Sequence, residues 1–229
     1  MKVSVVLPAY NEANRIENAI KRTEEILKKL GYEYEIIVAE DGSTDGTDKI
    51  VQRLVNERIK HLHSDKRLGR GKALMNAFSR AGGDIVIAMD VDLATNIEHL
   101  KELIEAIEQG YDIAIGSRLL KESRAKRTFE RELYSKVYNF LVRLFLRSKI
   151  KDHQCGFKAF KKDVVIELGK KAKDNHWFWD TEILVLAQKN GYEIKEIPVE
   201  WREGEDTKVK RTDVFYMFSS ILKMWLRKY

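Results

Sequence analysis

The sequence predicts an α/β fold in which a mostly parallel sheet is flanked by helices on both faces. Three observations carry this expectation. Short apolar runs recur up to about Leu120, stretches of helical periodicity separate them, and polar clusters close three of the runs. The first run, Val3–Leu7, reads as a buried strand, and Glu12–Leu30 as the helix after it. Glu35–Ala39 is the second strand, Asp45–Glu57 the second helix and Ile59–Leu62 the third strand. Lys72–Ala81, Ile85–Met89, Ile97–Gln109 and Ile113–Gly116 continue the alternation as helix, strand, helix and strand. In such folds the ligand crevice lies at the carboxyl ends of the strands.

The 229 residues suit one domain spanning 1–229, with 44% hydrophobic and 34% charged residues, two prolines and no low-complexity linker or repeat. The single cysteine, Cys155, excludes an internal disulfide framework and suits a reducing compartment. The chain opens on a strand rather than a leader peptide, so secretion is not expected. No run approaches the roughly 20 apolar residues that span a bilayer. The net charge of +6 favours anionic partners without choosing among nucleotide, nucleic acid and membrane.

Three strand ends carry the candidate chemistry. The first strand leads into Pro8-Ala9-Tyr10-Asn11-Glu12, the second into Glu40-Asp41-Gly42-Ser43, and the fourth into Asp90-Val91-Asp92. Asn11 or Glu12 can start a helix, and Ser43 or Thr44 can cap the next by accepting its free N–H groups. Capping does not require Asp41 before a glycine, nor a paired acid on another strand. Asp90 and Asp92 offer hard oxygen ligands for Mg2+ or Mn2+, which can grip the phosphates of a nucleotide.

Together with Glu40-Asp41-Gly42-Ser43-Thr44-Asp45-Gly46-Thr47, these clusters closely resemble family 2 glycosyltransferases with the GT-A (Rossmann-like) fold. The resemblance implies a nucleotide-sugar site at Pro8, Ala9, Tyr10, Glu12, Ala39 and Asp41, with Asp90, Val91 and Asp92 at the metal and diphosphate and Arg118 beside them. Gly116-Ser117-Arg118, Asp152–Lys158, Trp179-Asp180-Thr181-Glu182 and Glu196–Trp201 look like the polyprenyl-phosphate sugar synthases, which move glucose or mannose onto dolichyl phosphate. Gln154-Cys155-Gly156-Phe157-Lys158 and the Asp90–Thr95 segment look closer to the glucose synthases. Mannose synthases more often carry a metal-binding Gln where this chain has Ala94. The expected donor is therefore UDP-glucose or GDP-mannose, with glucose favoured.

A phosphate acceptor is already an anion and needs positioning rather than a general base. Arg118, Arg131 and Ser135 match positions that the resembled mannose synthases use around that phosphate, and Arg can hold it through two hydrogen bonds. Arg131 also lies in a run with Arg124, Lys126 and Arg127 that reads as a solvated face. Arg202 and Lys208, in the polar segment after the Trp201 strand, are candidates for a lid over the diphosphate or members of an ordinary surface loop. The resembled family inverts the anomeric centre in one displacement, which implies a β-linked product.

Asp180 and Glu182 stand about 200° apart on a helix and cannot share a face. Asp180 either orients Arg118, binds sugar hydroxyls or, with a hydroxyl acceptor, serves as base. Gly69-Arg70-Gly71-Lys72 lacks the glycine and Ser/Thr of a phosphate loop and reads as a helix start with close backbone approach. The five histidines show no zinc-like spacing, and Cys155 reads as a packed side chain. Two amphipathic helices, 134–149 and 211–229, are candidates for a membrane interface, and packing on the sheet or on a second copy in a homo-oligomer is the alternative for each. The expectation is thus a metal-dependent enzyme peripherally associated with the cytoplasmic face of a membrane, with no nucleic-acid partner. Transfer to a glycan hydroxyl, or a non-catalytic nucleotide-sugar-binding module, are the alternatives.

Overall fold

A computed structural model describes residues 1–204 and 211–227. The strands of its main sheet are β1 (Lys2–Ala9), β2 (Glu33–Glu40), β3 (Ile59–Leu62), β4 (Ile85–Ala88), β5 (Ile113–Ser117), β7 (Lys158–Lys161) and β8 (Ile194–Pro198). They run in the order β3-β2-β1-β4-β7-β5-β8. Two short strands, β6 (Arg124–Lys126) and β9 (Glu200–Arg202), pair separately. The helices are α1 (Ile16–Leu30), α2 (Thr47–Leu54), α3 (Arg70–Arg80), α4 (Leu100–Glu108), α5 (Phe129–Leu146), α6 (Lys162–Lys171), α7 (Trp179–Lys189) and α8 (Arg211–Leu226).

The strands are apolar on both faces because helices cover both. Val6, Ile37, Val86 and Ile115 pack with α3 and α7 residues such as Phe78 and Ile183, whereas Val5, Ile36, Ile87 and Ala114 pack with α1 and α4 residues such as Ile20 and Leu103. β1 pairs in parallel with both β2 and β4, in registers that bring Ala9 beside Glu40 and Val6 beside Ala88. The chain order reverses direction between β1 and β4, which is the switch point where such sheets open a crevice.

β7 departs from the expected parallel pattern. It runs antiparallel between β4 and β5, with Lys158 opposite Ala88 and Ile115. Its first residue therefore sits at the edge where the parallel strands end, so the preceding loop 152–157 joins the same crevice. The first helix starts at Ile16 rather than Glu12, because residues 11–15 form a turn in which Asn11 takes a left-handed φ of 54°. Residues 97–99 form a 3-10 turn before α4.

Candidate functional site

The loops after β1 and β2 clamp each other. Asn11 N–H donates to Ser43 Oγ (2.9 Å), Thr44 N–H to Asn11 Oδ1 (2.8 Å), Glu12 N–H to Thr47 Oγ1 (2.8 Å) and Ala13 N–H to Asp45 Oδ2 (3.0 Å). Ser43 thus serves the first loop rather than capping its own helix. Asp41 is buried and accepts the N–H groups of Leu68 (2.6 Å) and Gly69 (3.0 Å). Gly42, at φ +73°, allows the same loop to pass, since a Cβ there would lie 2.8 Å from Arg67 N. The Arg67 guanidinium stands 4.0 Å from the Tyr10 ring centroid. Pro8, Ala9, Tyr10, Glu12, Ala39 and Asp41 are therefore gathered around one end of the crevice.

Asp90 and Asp92 follow β4 beside it. Burial and the neighbouring Asp90 charge lift the Asp92 carboxyl above its usual range. One Asp92 oxygen accepts Ala94 N–H at 3.0 Å, and Leu93 between them takes a left-handed φ of 50°. A Cβ on Gly156 would fall 1.9 Å from Asp90 Oδ2, so the loop before β7 hugs this carboxylate. Strand β9 pins the other side: Arg202 N–H donates to Ala94 O (2.8 Å) and Asn96 N–H to Glu200 O (2.9 Å). Arg202 is thereby placed next to the acid loop, whereas Lys208 lies outside the described residues.

A buried relay of alternating charge runs inward from Asp90. Arg70 Nη2 reaches Asp90 Oδ1 at 2.9 Å, and its Nε reaches Asp180 Oδ2 at 3.3 Å. Asp180 Oδ1 lies 2.6 Å from Lys158 Nζ, which also donates to Cys155 O. Burial works to raise the Asp180 pKa, but Lys158 and Arg70 outweigh it and hold the carboxyl below its usual range. Arg118 belongs to a different pair, a two-pronged contact with Asp152 (Nε–Oδ2 2.7 Å, Nη2–Oδ1 2.9 Å). Asp152, not Asp180, therefore orients Arg118. Glu182, on the opposite side of α7 from Asp180, accepts the N–H groups of Lys173 and Asp174.

Around Arg118 lies a basic corner. Its guanidinium is 5.4 Å from the Trp201 ring centroid, and its charge, after burial, helps push the Arg127 pKa down. Arg131 pairs with Glu203 at 2.5 Å. Arg127 Nε and Ser135 Oγ are buried and have no hydrogen-bond partner among the described residues. An unpartnered guanidinium N–H of Arg127 in a cationic corner fits an anion.

The profile of glycosyl transferase family 2 matches residues 4–169. The chain belongs to glycosyl transferase family 2. It is 51% identical over 98% of its length to glycosyltransferase AglD of Haloferax volcanii, but spans only 37% of that protein. Its identity to the dolichyl-phosphate beta-glucosyltransferase of Saccharomyces cerevisiae is 31% over 90% of this chain and 69% of the relative. For the dolichol-phosphate mannosyltransferase of Pyrococcus furiosus it is 39%, over 72% of this chain and 47% of the relative. Among solved structures, glucosyl-3-phosphoglycerate synthase of Mycobacterium tuberculosis in complex with phosphoglyceric acid superimposes with a TM-score of 0.74 at 19% identity, covering 97% of this chain and 79% of that one. The fold is accordingly the α/β GT-A type expected from the strand order.

The acid pair of this family member suits a divalent cation. Two carboxylates crowd one loop, and the charge of Asp92 is disfavoured by burial and by Asp90 beside it. Arg70, Lys158, Asp152 and Arg127 stand at or beside the candidate residues and were not singled out from the sequence. Arg70 was hidden in a glycine-flanked helix start and Arg127 in a charge run; Lys158 and Asp152 lay in the quoted motif, but their partners are distant in sequence.

The 152–154 loop is tied to α5 by His153, whose ring nitrogens meet Asn139 Oδ1 (2.7 Å) and Ser148 Oγ (2.8 Å). Burial pushes this imidazole down to about 3. Between that value and the unfolded value of about 6.5, the native state binds fewer protons than the unfolded chain. Stability is therefore lost as pH falls through this window. In urea titrations, the loss between about pH 7 and about pH 4 should be smaller in His153→Gln than in the wild type, by roughly 3 kcal/mol. Equal losses would show that His153 is not buried neutral.

Proposed function

We propose that this chain transfers a hexose, with glucose favoured over mannose, from a nucleotide sugar to a polyprenyl phosphate, with inversion at the anomeric carbon. The observation that carries this reading is the state of Asp180. A base toward a hydroxyl acceptor must be free to take a proton, yet Asp180 is buried, ion-paired to Lys158 and Arg70, and held below the usual carboxylate range. A phosphate acceptor needs no such base. It needs donors, and Arg118 and Arg127 supply cationic ones; the unpartnered Ser135 hydroxyl is a neutral donor on α5, and Arg131 is paired with Glu203.

The chain's own residues divide the work. The clamped loops carrying Tyr10 and Asp41 receive the nucleoside. Asp90 and Asp92 would hold Mg2+ or Mn2+, which when bound supplies Lewis-acid stabilisation of the charge that develops on the diphosphate. Arg202, whose backbone N–H is anchored on Ala94 O, would reach the same phosphates. Arg118, fixed by Asp152, aims the acceptor oxygen at the sugar, which is positioning rather than proton transfer. The similarity to dolichyl-phosphate beta-glucosyltransferases, together with Ala94 in place of the mannose-synthase Gln, favours glucose.

The test supplies radiolabelled UDP-glucose or GDP-mannose to the protein with polyprenyl phosphate and Mn2+ or Mg2+. Label passing from UDP-glucose into organic solvent, and stopping when metal is chelated, is the expected result. Label that remains aqueous with both donors would overturn the proposal.

A lipid acceptor also requires a surface that meets the membrane. No helix of the described residues is long and apolar enough to cross one. Helices α5 and α8 pack together through Phe145–Trp225 and Tyr138–Phe218 ring contacts, burying Val142, Met217 and Ile221 against the core. Their outer faces expose Phe140, Leu144, Phe215, Leu222 and Trp225, with Arg143, Lys136 and Lys223 also exposed. This is a basic amphipathic surface suited to anionic lipid. Replacing Phe140, Phe215 and Leu222 with serine should reduce co-sedimentation with anionic vesicles by about tenfold or more, since each buried methylene contributes roughly 0.8 kcal/mol. Undiminished binding would assign lipid contact elsewhere.

A further inference from the structure

A second cluster of ligating side chains stands at the β2–β3 edge of the sheet, apart from the acid pair after β4. Glu40 closes β2, His61 lies in β3 and His63 just follows it. The β2–β3 register sets Val38 beside His61 and Ala39 beside Leu62, which carries Glu40 toward His63. One ring nitrogen of each histidine and one Glu40 oxygen lie within 4.8 Å of one another.

The surroundings of this cluster suit an ion. His61 Nε2 is buried and has no hydrogen-bond partner among the described residues, so a polar atom is left unpaired. Glu40 is wholly buried, with one oxygen accepting Ser43 N–H at 2.5 Å and the other 2.5 Å from His63 Nδ1. His63 is 43% exposed, which gives an ion a path in. Its Nε2 meets Asp65 at 3.3 Å, the kind of outer contact that fixes a ligand ring.

We propose that Glu40, His61 and His63 bind one divalent transition metal of the zinc class, at a site separate from Asp90 and Asp92. Two imidazoles favour Zn2+, Co2+ or Ni2+ over Mg2+. Three protein ligands leave a fourth tetrahedral position for water. Zinc ligands stand about 2.0–2.2 Å from the ion and so about 3.3–3.5 Å from one another. The Glu40–His63 contact, 2.5 Å without an ion, would open by about 1 Å to reach that spacing. The ion would brace the turn that carries Asp41 and Ser43, and through it the nucleoside end of the crevice.

The test uses the purified full chain, stripped with chelator and titrated with Co2+ and then Zn2+. One equivalent should bind with the visible absorption of tetrahedral Co2+, and Zn2+ should displace it. His63→Ala, at an exposed position that does not threaten folding, should weaken binding by at least about 100-fold, as should His61→Gln. Asp92→Ala should leave the signal intact, so the outcome does not depend on sugar transfer. Absence of stoichiometric binding, survival of the signal in His63→Ala, or its loss in Asp92→Ala would each overturn the proposal.

Discussion

Asp92→Asn should lower sugar transfer by about 10³-fold or more, equivalent to about 4 kcal/mol of transition-state stabilisation, while leaving the fold intact. Asn keeps the size and the bond from Ala94 N–H but removes the charge that a divalent cation would need. Raising Mn2+ should not rescue it. Asp90→Asn should be milder and partly rescued by metal, because Asp90 already shares its charge with Arg70. The stability readout distinguishes a functional acid from a structural one. Burial and Asp90 disfavour the charged form of Asp92, so neutralising it should leave urea stability unchanged or slightly raised. An Asp92→Asn protein within tenfold of wild-type activity, or one that is markedly destabilised, would remove Asp92 from the role assigned to it.

The parts of this site that could be read in the sequence are those set by strand ends. Val3–Leu7, Glu35–Ala39 and Ile85–Met89 are continuous apolar runs, so their polar termini stand out, and the Tyr10, Asp41 and Asp92 loops converge in the structure as the strand-end rule requires. β7 was not legible in the same way. Lys-Ala-Phe-Lys is four residues long and carries a lysine inward, which burial with Asp180 makes tolerable only once α7 is in place. The partners of the charged residues were equally hidden. Arg70 and Asp180 are separated by 110 positions, and no local period links them. For the same reason Asp180 was an attractive mate for Arg118, although the fold gives Arg118 to Asp152, 34 positions away across the β5–β7 edge. Periodicity reports which face a side chain takes, whereas the choice between two distant acids depends on packing that it does not encode. His61 of β3 and His63 just after it illustrate the point again, since their third companion comes from the neighbouring strand.

Asp180→Asn should be the most destabilising single change at the site, costing about 3–5 kcal/mol in urea titrations. Lys158 is fully buried, and Asp180 is the anion it meets at 2.6 Å. Removing that anion leaves an ammonium in the core with only the Cys155 carbonyl as a described partner. Arg70 loses one of its two carboxylates as well, and is left on Asp90 alone. The double variant Lys158→Met/Asp180→Asn should recover most of the lost stability, because the cost of the single change lies in the uncompensated charge rather than in the missing bond. It should not recover activity: without Asp180, Arg70 is free to settle fully on Asp90 and compete with a cation for it. Added Mn2+ should then raise turnover of the double variant along a curve shifted to higher concentration. A double variant as unstable as Asp180→Asn would show that the pair is held by packing instead of charge balance. One with wild-type metal dependence would show that Asp180 does not govern Arg70.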